Sequence, residues 1–229
     1  LIPGNVGTTP VQNVGAYGVE TKDVCTEVRF VERGTGAVHT FSATDCAFGY
    51  RDSVFKGPWR NRAVITAVRF HLTKRNHTLK THYGSVDAEL EAIGIQPSPQ
   101  SISDAVVRIR RSKLPDPAEL GNSGSFFKNP TVSAEEYARL RALKPDAPGY
   151  PQADGSVKLA AGWLIEQAGW KGYRRGDAGV HAKQALVLVN YGRATGPEIW
   201  QLAQDIVADV RAKFGVSLEP EVNLVGGGW

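Results

Sequence analysis

The sequence predicts an α+β protein with two lobes. Roughly the first hundred residues are expected to be mainly strand, and roughly the next hundred alternate helix with strand. The length of 229 residues is enough to bury a core in one large domain or two small ones. A hydrophobic content of 41% and a charged content of 22% are ordinary for a soluble globular protein.

The first lobe begins with a glycine-rich loop and continues as strands. Residues 1–18 contain many Gly, Pro and small polar residues but few charges. This composition fits a simple connecting loop, and it fits equally a backbone that approaches a flat or anionic ligand closely. Apolar and polar side chains alternate from Cys25, and residues 33–36 turn the chain into residues 37–41, which predicts a β-hairpin. Alternation over residues 62–74 predicts a long strand.

The second lobe is predicted from helix caps and apolar runs. Ser133 and Glu136 form a capping box for a helix that extends through Leu143. Thr195 and Glu198 form another, which begins the longest helix; Gly215 ends it. The other expected elements are a helix capped by Ser103 through Arg111, a helix over 159–168, and strands over 184–191 and 216–225, the last of which carries Glu219 and Glu221.

Charge and cysteine usage narrow the functional classes. The net charge of +4 and the pI near 9.1 favour an anionic partner. Cys25 and Cys46 are expected to be buried thiols in a reducing compartment, and their spacing matches no metal site. No apolar run has the length of a membrane span, no secretory signal opens the chain, and no nucleic-acid fingerprint appears. We therefore expect a cytoplasmic protein without structural metal, with neither membrane nor nucleic acid as a partner.

The chain also lacks methionine. Its 229 residues contain none, and the first is Leu1. We therefore expect that further sequence precedes Leu1 in the translated protein.

Residues 121–130, which read Gly-Asn-Ser-Gly-Ser-Phe-Phe-Lys-Asn-Pro, carry the leading candidate for chemistry. Taken alone they favour a turn before a helix, because Ser-Gly and Asn-Pro pairs mark turns. Ser125 lacks the Gly-x-Ser-x-Gly setting of a hydrolase nucleophile, so a proton-donating role is the alternative. Glu221 is a second candidate acid or an exposed edge-strand carboxylate. Arg51 is either a stabiliser of an enolate oxygen or part of a surface salt bridge.

Cations and amides on loops form a second candidate group. Such groups bind diphosphates through charge-assisted hydrogen bonds, although solvent exposure is the commoner fate of a lysine. The members are Tyr83, Lys113, Lys128, Asn129, Lys171, Arg174, Arg175 and Gln184.

Eight motifs in a fixed order add a family resemblance. They are Ile2-Pro3-Gly4-Asn5-Val6-Gly7, Gln12-Asn13-Val14-Gly15-Ala16-Tyr17-Gly18, Phe48-Gly49-Tyr50-Arg51-Asp52-Ser53, Lys113-Leu114-Pro115-Asp116-Pro117, Gly124-Ser125-Phe126-Phe127-Lys128-Asn129-Pro130, Tyr150-Pro151-Gln152, Lys158-Leu159-Ala160-Ala161-Gly162-Trp163-Leu164-Ile165 and Leu218-Glu219-Pro220-Glu221-Val222. Together they resemble the UDP-N-acetylenolpyruvoylglucosamine reductase family, which makes a bacterial cell-wall precursor. The loop that contains Tyr83 resembles the type I branch of that family.

The resemblance implies a fold and a reaction. The fold would pair a vanillyl-alcohol-oxidase-like FAD-binding subdomain over residues 1–112, completed by a C-terminal strand at 215–229, with an α/β UDP-sugar-binding domain over 113–214. A further FAD subdomain would precede Leu1. The reaction implied is reduction of bound FAD by NADPH, then reduction of UDP-N-acetylglucosamine enolpyruvate to UDP-N-acetylmuramate, a step that also serves cell shape and cell division. A monomer is expected.

The resemblance also implies the site residues. Ser125 matches the proton donor, and Arg51 and Glu221 match the pair that polarises the substrate carboxylate and stabilises the enol. The FAD contacts implied are Ile2, Pro3, Gly4, Val6, Gly7, Gln12, Gly15, Ala16, Tyr17 and Ile65. The substrate contacts implied are Tyr83, Lys113, Asn129, Tyr150, Lys171 and Gln184. The alternatives are a flavin-free module that binds a UDP-sugar without turnover and a basic domain that binds nucleic acid.

Overall fold

Two compact units make up the chain, Leu1–Arg110 and Arg111–Trp229, and each is described by itself. The structure is a computed structural model that describes residues 4–83 and 85–226. Both units mix helix with strand, so the α+β class is confirmed at this coarse level. The FAD-binding description of the first unit stays a prediction.

The first unit contains short 3₁₀ turns, five strands and two helices within its described residues. The turns are Val6–Thr8 and Thr21–Asp23; the strands are β1 Gly15–Ala16, β2 Val19–Glu20, β3 Cys25–Glu32, β4 Val38–Ser42 and β5 Ala63–Phe70; the helices are α1 Val86–Ala92 and α2 Pro99–Lys113, which ends in the second unit.

An antiparallel sheet with strand order β4-β3-β5 organises this unit. Val28 pairs with Phe41 on one side and with Val68 on the other, so the predicted hairpin is confirmed. Val28 and Phe30 are fully buried and pack with Cys25, Cys46 and Phe55 in one cluster, which alternation of apolar side chains on β3 requires.

Strand β5 is shorter than predicted. It ends at Phe70, whose pairing partner is Cys25, the first residue of β3. Beyond that point β3 offers no further ladder, so the alternation over residues 71–74 does not continue as strand.

The two helices of this unit differ from expectation. Helix α1 was not predicted, because Val86 and Leu90 are its only buried positions and too few to make a periodic signal. Helix α2 begins at Pro99 rather than after Ser103, which lies inside it. Proline is well suited to the first turn of a helix, and Ser98 Oγ accepts the N–H of Ser101 at 3.0 Å, as a cap does.

The second unit has two small sheets and three helices within its described residues. The elements are β6 Gly121–Ser125, β7 Thr131–Val132, α3 Ala134–Leu143, β8 Gly149–Pro151, β9 Val157–Leu159, α4 Ala161–Gln167, β10 Arg174–Arg175, β11 Ala178–Val180, β12 Val187–Asn190 and α5 Gly196–Phe214. The sheet orders are β10-β11-β12-β6 and β7-β9-β8.

Helix α5 supplies much of the core of this unit. Its buried stripe of Leu202, Ala203, Ile206 and Val210 has helical spacing and joins the large apolar cluster. The capping boxes predicted for α3 and α5 are confirmed, and Gly215 ends α5 with a φ of 70°, a left-handed conformation that suits glycine.

Two element boundaries in the second unit were wrong, and one expected strand does not form within its described residues. Helix α4 begins at Ala161, because Leu159 belongs to β9 and pairs with Gly149. The strand predicted over 184–191 is confined to β12. No regular strand covers the described part of residues 216–226; an isolated bridge joins Phe127 to Pro220, and proline has no N–H to extend a ladder.

The C-terminal segment belongs to the second unit. The N–H groups of Lys128 and Glu221 donate to Glu219 O at 2.9 Å and to Phe126 O at 2.8 Å. The sequence interpretation attached residues 215–229 to the first domain instead, and the functional assignment of each domain stays a prediction. No helix within residues 4–83 and 85–226 is long and apolar enough to cross a bilayer.

Candidate active site

Ser125 and Glu221 lie close together along two neighbouring stretches of the second unit. Ser125 ends β6 opposite Val187, and the next residue, Phe126, donates its N–H to Leu186 O at 2.7 Å. On its other side the carbonyl of Phe126 accepts the N–H of Glu221 at 2.8 Å. Phe126 is buried in the core, whereas Ser125 is exposed and Glu221 half-exposed. The backbone of the buried Phe126 therefore joins the Glu221 segment to the stretch that carries Ser125.

A glycine turn sets the direction of the chain just before Ser125. Gly124 has a φ of 73°, which a side chain would oppose, and its N–H donates to Asn122 Oδ1 at 3.0 Å. Asn122 is itself held because its Nδ2 donates to Leu120 O at 2.8 Å. The turn interpretation of this stretch was incomplete, since Gly121–Ser125 is a strand with one glycine in a left-handed conformation.

Asn129 and Gln184 meet at the start of α4. The N-cap position, Ala160, has no capping side chain, and Asn129 Oδ1 accepts the N–H of Ala161 at 3.0 Å instead. A Cβ on Gly162 would lie 3.2 Å from Gln184 Oε1, so the Gln184 amide sits against the same first turn. Two of the predicted substrate contacts are thus brought together, and a glycine makes room for one of them.

The other predicted substrate contacts of the second unit lie outside the first turn of α4. Tyr150 is exposed on β8, opposite Lys158 on β9. Lys113 is exposed at the end of α2. The amino group of Lys171 lies 2.8 Å from Glu166 Oε1, in an exposed ion pair beyond the middle of α4.

A cavity of about 380 Å³ lies within the second unit and is lined by neighbours of Ser125 and Glu221 along the chain rather than by these two residues. Its walls include Ser123, Phe126 and Trp200, and Val222, which follows Glu221. Aromatic and aliphatic walls with a few polar groups are typical of a small-molecule site.

His181 lies three residues before Gln184, on the segment that leads into β12. Burial lowers the pKa of its imidazole, and the nearby positive charge of Lys183 lowers that pKa further. The ring is therefore neutral near pH 7. Its backbone N–H donates to Val187 O at 2.9 Å, which ties this residue to the start of β12.

In the first unit, Arg51 lies at the tip of a small turn. We name residues 48–53 the arginine loop. The N–H of Gly49 donates to Asp52 O at 3.0 Å, and Arg51 has a φ of 54° between them. That conformation is unfavourable for a long side chain and is concentrated at functional sites. The guanidinium Nη2 donates to Gly15 O at 2.8 Å, and the guanidinium carbon lies 5.2 Å from the centroid of the Tyr50 ring.

Gly15 belongs to the glycine loop, which we define as residues 10–22. This loop contains β1, β2 and the predicted FAD contacts Gln12, Gly15, Ala16 and Tyr17. A Cβ on Gly15 would lie 2.6 Å from Glu20 Cγ and 2.8 Å from Val19 O, so a side chain is excluded there. Tyr17 has a φ of 53° and contacts the exposed Tyr83 ring at 6.4 Å between centroids.

The remaining predicted FAD contacts lie around the first 3₁₀ turn. Val6 is exposed, and a Cβ on Gly7 would lie 4.0 Å from Ile65 O on β5, so the turn lies against that strand. Gly4 has a φ of 106°. Ile2 and Pro3 lie outside the described residues.

The sequence reasoning missed two buried polar residues that join the two loops. Asn13 is fully buried, and its Nδ2 donates to Gly49 O at 2.9 Å. Ser53 is also buried, and its Oγ donates to Val11 O at 2.7 Å. Both residues stand inside motifs noted for other residues, and nothing in their local pattern predicts burial.

Comparisons with known proteins identify relatives. The family profile described as "UDP-N-acetylenolpyruvoylglucosamine reductase, C-terminal domain" matches residues 116–225. The protein named UDP-N-acetylenolpyruvoylglucosamine reductase from Pseudomonas syringae is 58% identical over 98% of this chain and 66% of its own length. The protein of that name from Chromobacterium violaceum is also 58% identical, over 96% of this chain and 65% of its own length. The protein of that name from Flavobacterium johnsoniae is 50% identical over 98% of this chain and 67% of its own length.

A solved structure agrees in fold. The UDP-N-acetylenolpyruvylglucosamine reductase of Thermus caldophilus matches with a TM-score of 0.61 at 24% identity, over 97% of this chain and 60% of that one. At this identity the match concerns the fold alone. The chain thus spans about 66% of the length of the Pseudomonas relative.

Proposed function

We propose, from the premise that this chain belongs to the UDP-N-acetylenolpyruvoylglucosamine reductase family, that it forms the substrate-reducing part of such an enzyme. The substrate would be UDP-N-acetylglucosamine enolpyruvate, the product UDP-N-acetylmuramate and the reductant NADPH acting through FAD. Activity of this kind would belong to peptidoglycan precursor synthesis in the cytoplasm. The observation that carries the proposal is the hydrogen bond from the Glu221 N–H to Phe126 O, which ties Glu221 to the residue that follows Ser125.

The residues of the first unit fit a flavin cofactor. Gly4 and Gly18 have φ values of 106° and 76°, Val6 is exposed, and Gly15 has no room for a side chain. A glycine-rich backbone of this kind offers N–H groups to a diphosphate at close range. The residues that would hold FAD are Gly4, Val6, Gly7, Gln12, Gly15, Ala16 and Tyr17, together with Ile65 on β5. FAD would supply a hydride to the β-carbon of the enolpyruvyl group.

The protein's own residues would manage charge and protons. Reduction at the β-carbon leaves negative charge on the α-carbon and its carboxylate. The guanidinium of Arg51 would stabilise that charge, because a fixed cation in a site from which water is excluded is already oriented for it. Ser125 Oγ would hold the proton that is delivered to the α-carbon. Glu221 would act with Arg51 on the substrate carboxylate.

The second unit would bind the nucleotide part of the substrate. Asn129 uses its oxygen to cap α4, which leaves its Nδ2 group as a donor for a phosphate oxygen. Gln184 lies against the same turn. Lys113 and Lys171 would add positive charge, and the exposed Tyr150 would supply hydroxyl and ring contacts. The exposed Tyr83 belongs to the first unit and would be a further substrate contact.

The test is a turnover assay on the natural full-length protein. NADPH oxidation should depend on UDP-N-acetylglucosamine enolpyruvate and yield UDP-N-acetylmuramate by mass spectrometry. Oxidation that does not depend on this substrate would refute the proposal. Size-exclusion chromatography of the same preparation tests the expected monomer.

A flavin-free module that binds a UDP-sugar is the second candidate. It is favoured by Asn129 and Gln184, which both lie at the first turn of α4 in the second unit. The purified chain of 229 residues decides between the two. A yellow protein that NADPH bleaches excludes the binding module; a colourless protein that binds the UDP-sugar supports it.

A further inference from the structure

We infer that Asn13 is a positioning residue that holds Arg51 in place by joining the glycine loop to the arginine loop. The role of Arg51 in this inference rests on the proposed function. The link between the two loops rests only on hydrogen bonds within the first unit. Asn13 is the polar side chain at the centre of this link, with no exposed surface at all.

The side chain of Asn13 uses its amide in three hydrogen bonds. Its Oδ1 accepts the N–H of Lys22 at 2.9 Å, and its Nδ2 donates to Glu20 Oε2 at 3.1 Å. Both of these bonds stay inside the glycine loop. The third, from Nδ2 to Gly49 O at 2.9 Å, crosses to the arginine loop. Asn13 therefore stabilises the glycine loop and also binds the arginine loop through a hydrogen bond.

The carbonyl oxygen of Gly49, which accepts this hydrogen bond, lies at the base of the turn that carries Arg51. Gly49 and Asp52 pair with each other, and Tyr50 and Arg51 form the tip between them. Asn13 holds the Gly49 end of this base, while Ser53 Oγ, just beyond the Asp52 end, donates to Val11 O at 2.7 Å. Two buried contacts thus fix both ends of a turn whose tip is strained.

The tip reaches back to the same loop. Arg51 Nη2 donates to Gly15 O at 2.8 Å, two residues beyond Asn13. Lys56 Nζ also donates to Arg51 O at 3.1 Å. If Gly49 moves, the guanidinium and Gly15 move relative to each other, and Gly15 is a predicted FAD contact. The link therefore couples the charge that faces the substrate to the backbone that faces the cofactor.

Asparagine suits this position for two separate reasons. Its φ of 46° lies in the left-handed region, which Asn and Asp tolerate better than other residues with side chains. The buried site needs two donors and one acceptor, which an amide provides and a carboxylate does not. Asn13→Asp therefore keeps shape and backbone while it removes both donors.

A double substitution separates the bond within the loop from the bond between the loops. In Asn13→Asp with Glu20→Gln, the new amide at position 20 donates to the new carboxylate at position 13, so the internal bond returns with its direction reversed. The bond to Gly49 O does not return. The matched control is Asn61→Asp, the same change at an exposed asparagine with a φ of 61° outside both loops.

The first measurement is hydrogen exchange of peptides that cover residues 10–22 and 46–56, which requires no turnover. Asn13→Asp should raise exchange in both peptides, and the double substitution should restore protection in the first only. Unchanged protection of residues 46–56 in both variants would overturn the link, whatever the protein catalyses.

The second measurement uses the natural full-length protein and the half-reaction in which the enolpyruvyl substrate oxidises the reduced flavin. We expect the double substitution to slow this step about 10- to 100-fold, as misplacement of a catalytic group does, with Asn61→Asp unchanged. In an Arg51→Ala background the same double substitution should cost little more, because residues that act through one another are not additive. Equal losses in both backgrounds would overturn the positioning role. Absence of turnover in the parent would refute the proposed function, while exchange still decides the link.

Discussion

Glu221 donates its backbone N–H to the carbonyl oxygen of Phe126 at 2.8 Å, which holds it next to the residue that follows Ser125. The bond runs between the end of β6 and an irregular C-terminal segment. Phe126 and Phe127 are both buried, so their side chains fix the end of β6 to the core of the second unit. The position of Glu221 therefore depends on a backbone contact and two aromatic anchors rather than on a strand of its own.

Ser125→Ala should separate the two half-reactions. Reduction of the flavin by NADPH should be nearly unchanged, whereas oxidation by the enolpyruvyl substrate should slow by about 10²- to 10⁴-fold, the usual contribution of a positioned acid. Stopped-flow absorbance of the flavin measures each step. Ser217→Ala, at an exposed serine of the same unit, is the control. Equal losses in both steps would contradict a proton-donating role.

Glu221→Gln should slow the same second step. The amide is isosteric but cannot give up a proton, so the contribution of Glu221 as an acid at the reacting carboxylate should be lost and the step should slow by roughly 10²-fold. Glu219→Gln is the matched control, because Glu219 lies two residues before Glu221, is 71% exposed and pairs with Lys128. A single-turnover assay of both variants decides the matter. If the two substitutions have the same effect, Glu221 has no special role.

Asn129 allows stability and binding to be separated. Asn129→Asp keeps the oxygen that caps Ala161 and places a negative charge at a helix N-terminus, so thermal stability should be retained. Asn129→Ala removes the cap and should lower the free energy of unfolding by about 1 kcal/mol. Both should weaken binding of the UDP-sugar, and the Asp variant should do so more because its charge repels a diphosphate. Calorimetric titration would contradict the assignment if both variants bind as the parent does.

The Cys46 thiol should make the fold sensitive to alkali. Burial, with smaller contributions from Cys25 and Asp45, raises its pKa from 9.0 to about 12. Above pH 9.0 the unfolded chain loses this proton while the folded chain keeps it, so the unfolded state binds fewer protons and stability falls. The contribution of Cys46 is thus complete below pH 9.0 and is lost as pH rises towards about 12.

Urea unfolding at a series of alkaline pH values measures this dependence. Cys46→Ala should flatten the decline above pH 9.0, although it also leaves a cavity and lowers stability at neutral pH. Neither thiol should react with a disulfide reagent in the folded protein at pH 8, since both are buried and free. Rapid labelling of Cys46 under native conditions would show that the site opens.

Local signals predicted several elements correctly. The capping boxes of α3 and α5 and the αL position of Gly215 satisfy backbone groups within a few residues, so they are visible without tertiary structure. The hairpin of β3 and β4 follows from alternation and a glycine turn. The ordered motifs carried the family resemblance, which the comparisons support.

Long-range pairing decided the elements that local signals missed. Gly121–Ser125 has the composition of a turn, yet it forms a strand because the buried strand β12 provides a partner. Residues 216–225 form no regular strand, because Pro220 cannot donate and the backbone of residues 219–221 bonds instead to Phe126 and Lys128. Whether a segment forms a strand depends more on the pairing partner available in the fold than on the strand propensity of its residues.

The sequence by itself determined which residue types stand at the candidate site, the ends of the capped helices and the family to which the chain belongs. Only the tertiary structure decided that Asn13 is buried between two loops, that Asn129 caps a helix thirty-two positions away along the chain, and that Glu221 lies beside Ser125. The physical reason is that a buried polar group must find its partners in space, and those partners are distant in sequence.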